Sequence, residues 1–128
     1  MKAKKIDHIG IVVDDLDSGM QTFAENFGFH ADSSRGGNVE RLGIKNGFMP
    51  VGESDLEFIQ ATTDAGPVAT FASERGEGMF MLSLAVDDVN AVVEHLRGLG
   101  YRVGDATNGV AFVSMRSTHG VNLQLVQR

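Results

Sequence analysis

A histidine, a carboxylate, a thioether and an amide hold matched places in this 128-residue sequence. His8 lies in DHIGIVVDDL (7–16), and Met81 takes the same place in MFMLSLAVDD (79–88), an offset of 73 residues (8 to 81). Glu57 lies in LEFIQ (56–60) and Gln124 in LQLVQ (123–127), an offset of 67 (57 to 124). Imidazole and carboxylate are borderline and hard ligands for a divalent cation, and either can hold or move a proton. Leu56 and Phe58 flank Glu57, so strand alternation turns it to the opposite face from theirs. A carboxylate buried there needs a hydrogen bond or a metal, and Glu57 is the candidate general base. Gln124 cannot take a proton, but it can donate to or accept from a ligand carbonyl, or hold Glu57 in place. Met81, with Met79 and Phe80 beside it, suits either core packing or the apolar wall of a pocket.

The elements that position these residues read as a tandem repeat. Each apolar run closes in Val-Asp-Asp: Val13-Asp14-Asp15 and Val86-Asp87-Asp88. Leu16, Met20, Phe23 and Phe27 then fall at helical spacing, with Asp17 as N-cap and Gly28 as closing glycine. Val89, Val92, Val93 and Leu96 give the second stripe, closed by Gly100. Turn signals at Gly36-Gly37, Asn46-Gly47, Gly52-Glu53-Ser54, Asn108-Gly109 and His119-Gly120 separate short runs of strand length. TTDAGPVATFASERGEG links the halves as one short helix starting at Pro67. The expected fold is α+β: two tandem βαβββ modules (about 1–62 and 78–128, connector 63–77) in one domain. Equivalent positions then face each other across a pseudo-two-fold axis, lining an incomplete-barrel cleft.

Composition narrows the function. A net charge of −6 and the lack of a Lys/Arg stripe argue against nucleic acid as a partner. No apolar run approaches the ~20 residues of a membrane span. MKAKKIDHI has no apolar signal core, and there is no cysteine, which together lead to the expectation of a cytoplasmic protein that meets no membrane. His30, His95 and His119 are lesser candidates; His95 is expected to be exposed and His119 to lie in a surface loop at a cleft mouth.

IDHIGIVVDDLDSGMQTFAENFGF resembles the vicinal-oxygen-chelate superfamily, which includes glyoxalases, bleomycin-resistance proteins, extradiol dioxygenases and methylmalonyl-CoA epimerases. PVATFASERGEG and STHGVNLQLVQ resemble the epimerases more narrowly. The resemblance implies a metal held at His8, Glu57, Met81 and Gln124, the same four positions picked by the repeat. The chain departs from the pattern at two of them. Met81 stands where epimerases have histidine, and Gln124 replaces a glutamate that is both ligand and base. Asn46 falls near their second acid/base carboxylate, although Asn-Gly also reads as a turn, and His119 replaces a glycine of their S-T-G-G loop.

A thioether does not replace imidazole on Co²⁺, Mn²⁺, Ni²⁺ or Zn²⁺. The expectation is therefore a weak or lost divalent metal, with His8, Glu57 and Gln124 as its remaining ligands. The resemblance implies an isomerase or lyase that abstracts a proton from a small carbonyl or acyl-thioester compound, with Glu57 and His8 catalytic. Met81, Gln124, Phe80, Asn46 and His119 would contact the ligand. The alternative is a non-catalytic protein that binds and sequesters a small molecule, of bleomycin-resistance type. A homodimer is implied by resemblance alone.

Overall fold

Val-Asp-Asp ends a strand and starts a helix twice in this chain. The computed structural model describes residues 2–128. Its elements are β1 (Lys5–Val12), α1 (Leu16–Phe27), β2 (Gly37–Val39), β3 (Ile44–Val51), β4 (Ser54–Ala61), α2 (Pro67–Arg75), β5 (Gly78–Val86), α3 (Val89–Gly98), β6 (Val110–Val113) and β7 (Leu123–Gln127). In both copies the second aspartate of the motif caps the helix. Asp15 accepts from the Ser18 N–H at 3.0 Å, and Asp88 from the Ala91 N–H at 3.1 Å. The N-cap is thus Asp15 and not Asp17, because Asp15 has the extended backbone that a cap requires. Asp17 sits in the first turn, where its charge suits the helix N-terminus. Gly28 closes α1 in the left-handed region, as expected.

The strands form a mixed seven-stranded sheet in the order β2-β3-β4-β1-β5-β7-β6, which with three α-helices makes an α+β fold. Pairing is antiparallel for β2–β3, β3–β4 and β6–β7, and parallel for β5–β7. The chain divides into two compact units. One is Ile9–Phe80; the other joins the segment ending at His8 to Met81–Arg128.

In the Ile9–Phe80 unit, α1 covers one face with Val13, Leu16, Met49 and Phe58, joined by Met20 and Phe23. On the other face α2 packs Val68 and Phe71 against Val12, Ile44 and Ile59. The linking segment is a helix, with Pro67 in its first turn. Asn46-Gly47 is not a turn: β3 runs straight through it, and register pairs Asn46 with Ile59 and Gly47 with Phe58. The glycine has a packing cause. A Cβ at Gly47 would collide with the Met20 sulfur, so the bare backbone admits the α1 side chain.

In the other unit α3 packs Val89, Val92 and Val93 against Val86, Ala111, Val113 and Leu125. Here the second copy departs from the expected module. Two strands follow α3, and the segment before β6 makes only single bridges, Val103 to Val113 and Thr107 to Val110. Its sequence, VGDATNG, offers few strand formers, and both Asn108 and Gly109 take positive φ. Among the described residues no helix is long and apolar enough to cross a membrane.

Candidate functional site

In the Ile9–Phe80 unit, alternation along β4 sends Leu56 and Phe58 to the α1 face and Asp55, Glu57 and Ile59 to the other. The ring of Phe58 meets Phe23 edge-on at 5.0 Å, which pins the strand and so the direction of Glu57. Glu57 is 8% exposed. Register places Phe48 directly opposite it and Asn46 one pair further along the same face. The Asn46 Nδ2 donates to Glu57 Oε2 at 2.9 Å. The Asn46 Oδ1 is buried and meets no hydrogen-bond partner among the described residues. Asn46 thus faces Glu57 from a strand, where the dipeptide alone suggests a turn.

A loop between α1 and β2 reaches onto the same face. Arg35 donates from Nε to Asp32 at 2.8 Å, and from Nη1 and Nη2 to Asp55 at 3.0 and 2.8 Å. Its guanidinium lies 4.6 Å from the centre of the Phe48 ring. The Ser34 hydroxyl, then Arg35, then the Ser34 backbone N–H hold Asp32 down at about 2. Asp55 and Asp32 in turn raise the Arg35 pKa above its ordinary value. This network is absent from the sequence reading. Its only prior signal is the Asp-x-Ser-Arg spacing at residues 32 to 35, which fits a local turn.

In the other unit, β5 turns Leu84 and Val86 to α3, leaving Met81, Ser83 and Ala85 on the opposite face. Parallel register sets Ser83 beside Gln124, and the Ser83 hydroxyl donates to Gln124 Oε1 at 2.7 Å. Met81 is buried two residues before Ser83, and Phe112 stands opposite Gln124, half exposed. On β1, His8 Nδ1 lies 2.7 Å from Asp7 Oδ2, and both side chains are buried. Arg128 donates from Nε to Asp7 Oδ1 at 2.9 Å and from Nη2 to Oδ2 at 3.1 Å. The Arg128 hydrogen bonds, opposed by burial and helped by His8, bring the Asp7 carboxyl down to about 2. Sequence reasoning missed Asp7, Ser83 and Arg128; their partners are set by register and by chain ends brought together, which local pattern does not encode.

The remaining candidates are scattered. Phe80 meets Phe71 edge-on at 5.3 Å within the α2 core of the first unit. His30 and His95 are exposed, as is His119 at positive φ in the turn before β7. The metal set implied by resemblance does not fit its ion. Met81 brings a sulfur that a hard or borderline cation does not prefer, and the Gln124 carbonyl oxygen is already engaged by Ser83. Among the described residues no three His, Asp or Glu side chains come together as a metal-binding group.

A glyoxalase-like domain model matches residues 6–125. Three solved structures are similar throughout. Methylmalonyl-CoA epimerase from Mycobacterium tuberculosis is 22% identical, with 98% of this chain and 88% of that chain covered and a TM-score of 0.87. A methylmalonyl-CoA epimerase in complex with methylmalonyl-CoA and ammonium is 25% identical, with 98% and 95% covered and a TM-score of 0.87. A Streptomyces coelicolor methylmalonyl-CoA epimerase variant in complex with 2-nitronate-propionyl-CoA is 24% identical, with 98% and 95% covered and a TM-score of 0.88. No curated protein sequence matches the chain. With a family model spanning almost all of its length over this sheet, the chain belongs to the glyoxalase-like domain family of the vicinal-oxygen-chelate superfamily.

Proposed function

We propose that the chain is an isomerase or lyase that removes a proton from a small carbonyl or acyl-thioester compound, with Glu57 as its one base. The observation that carries this reading is the buried Glu57 carboxylate held at 2.9 Å by the Asn46 amide. Epimerisation by two bases needs a proton acceptor on each face of the reacting carbon. Here the two positions that resemblance assigns to acid/base carboxylates are Asn46 and Gln124, and neither amide can take a proton. One carboxylate remains. Glu57 takes the α-proton and the C–H electron pair passes into the enolate. The proton then returns from Glu57 on the same face to a neighbouring carbon, which shifts the double bond, whereas its return to the same carbon only exchanges the proton; in a lyase the electron pair expels a β-substituent instead. Solved relatives in complex with acyl-CoA compounds support the substrate class.

The test is hydrogen–deuterium exchange at the α-carbon of propionyl and acetoacetyl thioesters in D₂O, followed by NMR. Exchange is expected with the native chain and is lost in Glu57→Gln. Equal exchange in both would sink Glu57 as the base. A second reading, capture of a ligand without turnover, draws on buried Met81 and half-exposed Phe112, which give the β5–β7–β6 face an apolar character suited to a pocket. Ligand-induced thermal stabilisation with no exchange would favour it.

A further inference from the structure

We infer that Ser83 is a positioning residue that fixes the Gln124 amide as a hydrogen-bond donor, aimed at the carbonyl oxygen of an acyl ligand. Ser83 is completely buried on β5, and parallel register sets it beside Gln124 on β7. A buried hydroxyl needs an acceptor. Among the described residues the one partner of the Ser83 hydroxyl is Gln124 Oε1, 2.7 Å away. Turning the amide over would set Nε2 against Ser83 and leave the hydroxyl proton buried with no acceptor. The amide is therefore held with Oε1 towards Ser83 and Nε2 away from it. Nε2 has no hydrogen-bond partner among the described residues, and it keeps contact with solvent. Two N–H donors are left for a ligand.

The neighbours of this donor decide what it binds. Phe112 lies directly opposite Gln124 in the antiparallel β6–β7 pair, so its ring shares the face, and it is 51% exposed. Met81 is buried two residues before Ser83 on the same side of β5. The donor thus stands among apolar side chains, and only an acceptor answers it. A carbonyl oxygen does so while the acyl body lies against the Phe112 ring. A free glutamine can also turn round and accept from a ligand O–H or N–H. With Oε1 engaged by Ser83, Gln124 selects against such donors. The inference concerns the β5–β7–β6 face alone, and it holds whether or not Glu57 removes a proton.

The experiment follows the Gln124 side-chain amide by ¹H–¹⁵N NMR on the full chain, the signal being identified by its loss in Gln124→Met. The probes are S-ethyl thiopropionate and ethyl propyl sulfide, which differ by the carbonyl oxygen. The thioester is expected to move the amide protons downfield and to bind about three- to tenfold more tightly than the sulfide, the worth of one hydrogen bond. Gln124→Met removes that preference. In Ser83→Ala it shrinks by about twofold or more, because the freed amide must be ordered at each binding event, while sulfide binding is unchanged. A thioester that leaves the amide signals unmoved overturns the inference, as does an unchanged preference in a folded Ser83→Ala chain. Equal weakening of both probes marks Ser83 as structural only and overturns it too. If Ser83→Ala does not fold, the ligand-free wild type decides: a strong NOE between the Gln124 amide protons and the Ser83 β-protons means a turned-over amide and sinks the inference, and its absence upholds it. No turnover enters these readouts, so their failure leaves the Glu57 reading standing.

Discussion

Asn46 has two polar ends and only one is answered. Its Nδ2 serves Glu57, while Oδ1 is buried without a partner among the described residues, a situation that costs about 1–3 kcal/mol in a folded chain. A residue kept at such a cost is better explained by the carboxylate it serves than by packing. Asn46→Asp keeps the shape and replaces the N–H donor with a second carboxylate against Glu57. Two carboxylates at this distance share a proton, so the folded variant binds a proton more tightly than the unfolded chain does. Its stability relative to wild type is then highest in acid and falls as pH rises. Urea unfolding at pH 5 and pH 8 should show a larger deficit at pH 8, and equal deficits would place Asn46 away from the Glu57 charge. Asn46-Gly47 also shows what a dipeptide conceals: the glycine answers to Met20 on a helix, and the asparagine to a carboxylate on the next strand.

Among the elements, the two helices that follow Val-Asp-Asp are capped in the same way, by the second aspartate of each motif. Asp15→Ala and Asp88→Ala should each cost about 1 kcal/mol in chemical unfolding, and Asp17→Ala clearly less. If Asp17→Ala cost as much as Asp15→Ala, the cap assignment would be wrong. The loop between α1 and β2 is held by charge. Asp32 sits at about 2, below its usual value near 3.8, so its contribution to stability is present above about pH 4 and disappears as pH falls through about 2. Melting temperature followed from pH 6 to pH 2 should therefore fall less steeply in Asp32→Asn than in wild type. Because Asp32 lies at the surface, raising the salt concentration should narrow that difference.

For the whole molecule, each compact unit owns a core. Phe58 is fully buried between β4 and α1, and Phe58→Ala should cost about 3–5 kcal/mol, a large part of the 5–15 kcal/mol that keeps a typical domain folded. A loss below 1 kcal/mol in the unfolding free energy would mean that this core closes around the gap. The sequence alone determined the repeat, the helix stripes, the linking helix, the α+β class and the strand face of Glu57. All of these follow from short-range periodicity, because side chains alternate along a strand and recur every 3.6 residues on a helix. Only the tertiary structure decided who meets whom: Asn46 with Glu57, Ser83 with Gln124, Arg35 with Asp55, and Arg128 with Asp7. Those pairings depend on register between strands and on contacts 11 to 121 positions apart, and periodicity fixes which face a residue takes but not which neighbour it finds there.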